Sequence, residues 1–208
     1  MVNIAVLVSG GGTNLQAILD AQARGEIPNG RVCAVVSSKE GAYALERAQK
    51  ANVPAFVMRR KDYASGQAYA DALEALLREL DVQLVVLAGF MTVLAESFCH
   101  AFENRIINVH PALIPSFCGD GFYGLRVHEA ALAKGVKVSG ATVHFVNAVT
   151  DGGPIIAQKA VEVCEGDTPE RLQKRIMEQA EWKLLPQAIS DFCDGKLSVV
   201  DGIVHHKE

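Results

Sequence analysis

Paired cysteine motifs are missing from this chain. The five cysteines, Cys33, Cys99, Cys118, Cys164 and Cys193, are odd in number and include no C-x-x-C pair. That argues against a disulfide framework or a closed zinc site and reads as reduced thiols in a cytoplasmic protein. None lies in a recognisable nucleophile signature. Aromatic residues are scarce at 6%, and the apolar half of the sequence is mostly Ala, Val, Leu and Ile. Such a mix suits parallel strands covered by helices better than an aromatic-rich sandwich. A basic surplus is absent too: 20 Lys and Arg against 24 Asp and Glu leave a net charge of −4. A general nucleic-acid binder is therefore not expected, and an anionic ligand has to be met by local donors. No apolar run approaches the ~20 residues that span a bilayer. Val2–Val8 is short, has no basic lead-in, and reads as a first strand, not a signal peptide.

What is present is alternation. Asn3–Val8 is an apolar run closed by Ser9 and three glycines, and Asn14–Ala23 follows with Leu15, Ile18 and Leu19 at helical spacing. Val32–Val36, Ala55–Met58, Leu84–Ala88 and Ile106–Val109 read as further strands, with helices over Ala42–Ala51 and Gln67–Leu80 between them. Strand–helix alternation implies right-handed crossovers and a mostly parallel sheet. After His110 the pattern changes. Pro111–Tyr123 is loop-like and Val127–Lys134 a short helix, while Lys137–Val146 and Pro154–Val163 read as an antiparallel addition. Thr168 and Pro169 start a last helix, whose buried stripe is expected at Leu172, Ile176, Ala180 and Leu184. Asp201-Gly202 is placed to turn a small hairpin over Val199–Val204. The fold class expected is α/β: one domain over residues 1–208, an open Rossmann-like sheet with helices on both faces.

Three constellations carry chemistry. Ser9-Gly10-Gly11-Gly12-Thr13-Asn14 joins a strand to a helix, where glycine permits close backbone approach and free N–H groups favour an anion. It is neither G-x-x-x-x-G-K-[ST] nor G-x-G-x-x-G, because Leu15 takes the third glycine position. Ser37 and Ser38 end the second strand where a dinucleotide site needs an acid. One phosphate group is the natural guest; a tight turn that merely needs glycine is the competing reading. Asn108-Val109-His110-Pro111 puts Asn108 and His110 on one strand face at the carboxyl edge of the sheet. A carboxamide beside an imidazole can polarise a carbonyl and move a proton. Asp151-Gly152-Gly153-Pro154 sets a carboxylate in a turn, which taken alone is a turn signal first. Thr142 and His144 share a strand face, and Glu178 with Glu181 reads by default as a solvated helix face. Ala88-Gly89-Phe90-Met91 lines an aromatic ligand's slot or belongs to the core.

Leu87–Met91, Ile107–Pro115 (INVHPALIP), Gly140–Val146 (GATVHFV) and Asp151–Ile156 (DGGPII) follow the SGGGTN loop in order. In this the chain resembles the folate-dependent formyltransferases over nearly its whole length; each motif is modest alone, but the ordered set is specific. The resemblance implies that the N-terminal half binds phosphate and the C-terminal half binds folate and carries the chemistry. It implies formyl transfer from 10-formyltetrahydrofolate, a cosubstrate, to the amine of glycinamide ribonucleotide in purine synthesis, with no metal or prosthetic group. It puts Asn108, His110 and Asp151 at the reacting atoms, with Thr142 and His144 in support. Gly12, Thr13 and Asn14 fall to the substrate phosphate, Glu181 to its ribose side, and Met91, Thr92, Val93 and Leu94, with Asn108, to the folate. Thr92 and Gly66 stand where relatives often carry arginine, Ala112 replaces a usual serine, and 116–123 is longer than in some members. These departures bear on the folate's glutamate tail and the loop's shape. Relatives that formylate methionyl-tRNA or hydrolyse the folate carry additional domains, so a lone formyltransferase domain is expected. The expected partners are the two small molecules, with no nucleic acid or membrane, on a monomer or homodimer. A silent phosphate-sensing module is the alternative from another class, and the presence of Asn108, His110 and Asp151 weighs against it.

Overall fold

The computed structural model describes residues 1–207. Strands β1 (Val2–Val8), β2 (Gly30–Ser37), β3 (Ala55–Val57), β4 (Leu84–Leu87) and β5 (Ile106–His110) pair in parallel. Beyond β5, β6 (Val138–Phe145) adds antiparallel to it and β7 (Ile155–Glu162) antiparallel to β6, giving one sheet in the order β3-β2-β1-β4-β5-β6-β7. The expected parallel sheet with an antiparallel addition is what forms.

Both faces of the sheet are covered, which is why β1 is a continuous apolar run and not an alternating one. Ile4, Val6 and Val8 pack with Leu15 and Ile18 of α1 (Thr13–Ala23) and with Ala44 and Ala48 of α2 (Tyr43–Lys50). The same face receives α5 (Leu125–Lys134), α6 (Pro169–Ile176) and α7 (Trp182–Cys193). Ala5 and Leu7 point the other way, onto Tyr69, Leu73 and Leu77 of α3 (Gly66–Glu79) and Phe98 of α4 (Glu96–Ala101). The chain runs outward from β1 through β2 to β3, then returns to place β4 on the other side of β1. That reversal opens a crevice at the carboxyl ends of β1 and β4, where open α/β sheets bind ligands.

Local signals account for the element ends. The Thr168 hydroxyl accepts the Arg171 N–H at 3.3 Å, and Pro169 fills the first position of α6. The terminal hairpin, β8 (Leu197–Val200) with β9 (Ile203–His206), turns on Asp201 and Gly202, both at positive φ (50° and 76°). Two such residues match the twist of a two-residue hairpin. The short helix α4 carries no stripe long enough to be read from spacing. One expectation needs correction. The last helix is not one regular stripe, because a π turn over Met177–Glu181 separates α6 from α7. The extra residue shifts the phase, so Leu185 is fully buried and Leu184 only partly so.

Candidate active site

Alternation along β5 points Asn108 and His110 the same way, and the β5–β6 register sets His144 opposite Asn108 and Thr142 opposite His110. The Asn108 Nδ2 donates to His144 Nε2 at 3.1 Å, while His144 Nδ1 donates to the Phe145 carbonyl at 2.7 Å. The His110 Nε2–H donates to the Phe117 carbonyl at 2.8 Å. Since a carbonyl only accepts, that bond fixes the proton on Nε2 and leaves Nδ1 facing Asp151 Oδ2 at 3.5 Å. Thr142 donates to the Ala112 carbonyl at 2.7 Å and so holds the chain leaving β5.

Asp151 arrives from the turn between β6 and β7. It sits at φ 53°, in the left-handed region that aspartate tolerates. A Cβ on Gly153 would run into the Phe145 carbonyl, so glycine is what lets this turn close against β6. The Asp151 Oδ2 accepts the Gly119 N–H at 2.9 Å, and Oδ1 lies 3.6 Å from His144 Nε2. Burial lowers the pKa of His110, outweighing the nearby Asp151 carboxylate. Burial pushes Asp151 up, but His144, the Gly119 N–H and the neighbouring His110 together bring it below the usual carboxylate range. The resting arrangement is an ionised carboxylate beside a neutral imidazole.

These groups floor a cleft of ≈ 610 Å³. One lip is the segment after β4, where Met91, Thr92, Val93 and Leu94 all line it; the others are 119–124 and 146–151. Met91 and Val93 are exposed, so the lip presents apolar surface. The Met91 N–H donates to Ser9 Oγ at 2.8 Å, tying this lip to the glycine loop. Cys118 donates to the Pro115 carbonyl at 3.3 Å, and burial and Asp151 both raise its pKa, which makes it a poor nucleophile.

Gly12, Thr13, Asn14 and Glu181 form a second cluster, outside the lining of that cleft. Gly12 stands at φ 70° as the residue before α1, and a Cβ there would lie 2.7 Å from Ala44 Cβ. The fold itself therefore demands glycine at that position, whereas Gly10 and Gly11 face open space. Asn14 Nδ2 donates to Glu181 Oε2 at 2.7 Å, leaving the buried Asn14 Oδ1 without a protein partner among the described residues. Thr13 is exposed and lines a smaller groove with Arg47 and Trp182.

The solvated-face reading holds for exposed Glu178 and fails for Glu181, which is 6% exposed because the π turn rotates it inward. Burial pushes its carboxyl up to about 7, against the lowering effect of the Asn14 bond. Over Gly66 lies the Arg60 guanidinium, 3.7 Å from where a Cβ would be. Sequence reasoning missed the Phe117 carbonyl and Gly119 N–H, since backbone groups leave no residue-type signal. Among the described residues, no three or more His, Cys, Asp or Glu side chains are grouped to hold a metal, and no helix is long and apolar enough to cross a membrane.

The model of the family described as formyl transferase matches residues 2–189. The phosphoribosylglycinamide formyltransferase of Haemophilus influenzae is 39% identical over 205 residues, covering 99% of this chain and 93% of that protein. The trifunctional purine biosynthetic protein adenosine-3 of Gallus gallus is 39% identical over 198 residues, which are 95% of this chain and 19% of that much longer one. The crystal structure of glycinamide ribonucleotide transformylase 1 from Symbiobacterium toebii superposes with a TM-score of 0.94 at 47% identity, covering 100% of this chain and 95% of that one. A match of this extent, carried by relatives of similar length, means that the chain belongs to the formyl transferase family, in its phosphoribosylglycinamide formyltransferase branch.

Proposed function

We propose that the protein transfers the formyl group of 10-formyltetrahydrofolate to the amine of glycinamide ribonucleotide, giving formylglycinamide ribonucleotide and tetrahydrofolate in purine synthesis. The observation that carries this reading is the convergence of Asn108, His110 and Asp151 on the floor of one cleft, His110 and Asp151 3.5 Å apart. The folate takes the cleft, its ring system against Met91–Leu94. Gly12, Thr13 and Asn14 take the acceptor's phosphate, and Glu181 and the free Asn14 Oδ1 face its ribose.

As the amine nitrogen bonds to the formyl carbon, negative charge grows on the formyl oxygen. The second amide hydrogen of Asn108, not engaged by His144, meets it; losing such a donor typically costs ~10²–10³ in rate. With Nε2–H committed to Phe117, His110 has Nδ1 left to receive the amine's proton. Asp151 then faces an imidazolium, which it stabilises. The proton passes on to the folate nitrogen as its bond to the formyl carbon breaks, so each step balances without a covalent enzyme intermediate. Reduced thiols and soluble small-molecule substrates support a cytoplasmic location.

The test is formyl transfer by the purified protein with three acceptors: glycinamide ribonucleotide, water and methionyl-tRNA. Tetrahydrofolate release that depends on the ribonucleotide is expected. Release without it, or formylation of the tRNA, overturns the reading.

A further inference from the structure

The register places His110 opposite Thr142 on β6, and Thr142 opposite Gln158 on β7. Directly opposed residues share a face, so these three polar side chains form one row across the sheet. Thr142 and Gln158 are bonded to each other and to the chain leaving β5. Gln158 Nε2 donates to Thr142 Oγ1 at 3.0 Å and to the Ile114 carbonyl at 2.9 Å. The Thr142 hydroxyl accepts the Ile114 N–H at 3.0 Å and donates to the Ala112 carbonyl at 2.7 Å. Ile114 is thereby held by both its N–H and its carbonyl. A few residues on, the same strand of chain delivers the Phe117 carbonyl to His110 and the Gly119 N–H to Asp151. Gln158 itself is exposed and does not line the cleft.

We infer that Gln158 is a positioning residue for the formyl transfer, clamping Ile114 so that the following loop keeps His110 in its Nε2–H form beside Asp151. The inference rests on the function proposed above. It follows from how few donors face this segment: the single hydroxyl hydrogen of Thr142 is already given to the Ala112 carbonyl, so it cannot replace the Gln158 bond to the Ile114 carbonyl. A loop released there moves the Phe117 carbonyl, and both ring nitrogens of His110 become free to carry the proton.

The experiment compares wild type with Gln158→Met, of similar length and no hydrogen bonds, and Gln158→Glu, which sets an acceptor against the Ile114 carbonyl. Lys159→Ala, one residue along β7 and facing the other side, is the control. In folded variants at Gln158, kcat should fall about 10- to 100-fold, the scale of an ångström-level misplacement, with both KM values within about threefold of wild type on the same reasoning. Nitrogen-15 spectra of the imidazoles at neutral pH should show a single Nε2–H form for His110 in wild type and a mixture in the variants. Wild-type kcat in either folded variant overturns the inference. So does a fall in kcat with His110 still in one form, since that is a general structural loss. If Gln158→Met does not fold, Gln158→Glu answers both questions. The spectra do not depend on turnover, so wild-type protein inactive with glycinamide ribonucleotide would refute the proposed function while leaving the clamp tested by itself.

Discussion

Glu181 holds a carboxylate out of water at 6% exposure, with one donor, Asn14, to compensate. Its pKa is raised from 4.5 to about 7 by that burial. For an acid, a raised folded-state value means that the native protein keeps a proton the unfolded chain has released. Stability is then greatest below the unfolded pKa, falls as pH climbs from 4.5 to about 7, and is level above. At about 1.4 kcal/mol per unit, the whole window is worth roughly 3 kcal/mol, most of which lies between pH 5 and pH 8. Glu181→Gln keeps an oxygen for Asn14 and abolishes the titration. Relative to wild type it should gain about 2–3 kcal/mol on going from pH 5 to pH 8, or roughly 5–10 °C in Tm for a chain of this size. Thermal unfolding followed by circular dichroism at the two pH values measures this directly. In parallel, the KM for glycinamide ribonucleotide should rise about tenfold, the loss of one charge-assisted hydrogen bond. A Tm difference equal at both pH values, or one that moves in favour of wild type from pH 5 to pH 8, refutes the raised pKa. An unchanged KM removes Glu181 from the acceptor site. Residues that cost stability in this way are expected where function needs them.

Gly12→Ala should lose about 2–5 kcal/mol through its left-handed φ and the contact with Ala44. Gly11→Ala, with open space around it, should melt like wild type yet raise the acceptor's KM; an unaltered KM would remove the glycine loop from phosphate binding. His110→Ala and Asp151→Asn should each lower kcat by roughly 10²–10⁴, and the double variant should be little worse than the more damaging single one. Additive losses in steady-state kinetics would show that the two groups do not act as a unit. His128, fully buried with neither ring nitrogen bonded among the described residues, is pushed down to about 4 by burial and by His110. Because the native state refuses its proton, stability falls as pH drops from 6.5 towards 4, and His128→Leu should flatten that stretch of the acid unfolding curve. A curve parallel to wild type would contradict it.

The sequence by itself determined what depends on neighbours along the chain. Period-two alternation put Asn108 with His110 and Thr142 with His144 on common faces, and the register then paired them. Continuous apolar strands announced a sheet covered on both sides, Thr168-Pro169 marked a helix start, and Asp201-Gly202 marked a hairpin. Tertiary structure alone decided what depends on closure and phase. Asp151 meets His110 only because β6 returns antiparallel and Gly153 lets the turn pack against Phe145. Glu181 is buried, and Leu185 replaces Leu184 in the core, because a single π turn adds one residue to a helix that reads as regular. The Phe117 carbonyl and the Gly119 N–H, which set the state of the His–Asp pair, are backbone groups that any residue but proline supplies alike. Side-chain patterns record which face a residue takes; where a loop's backbone dipoles point is decided by the packing and hydrogen bonds that fix it, and these exist only once the chain has folded.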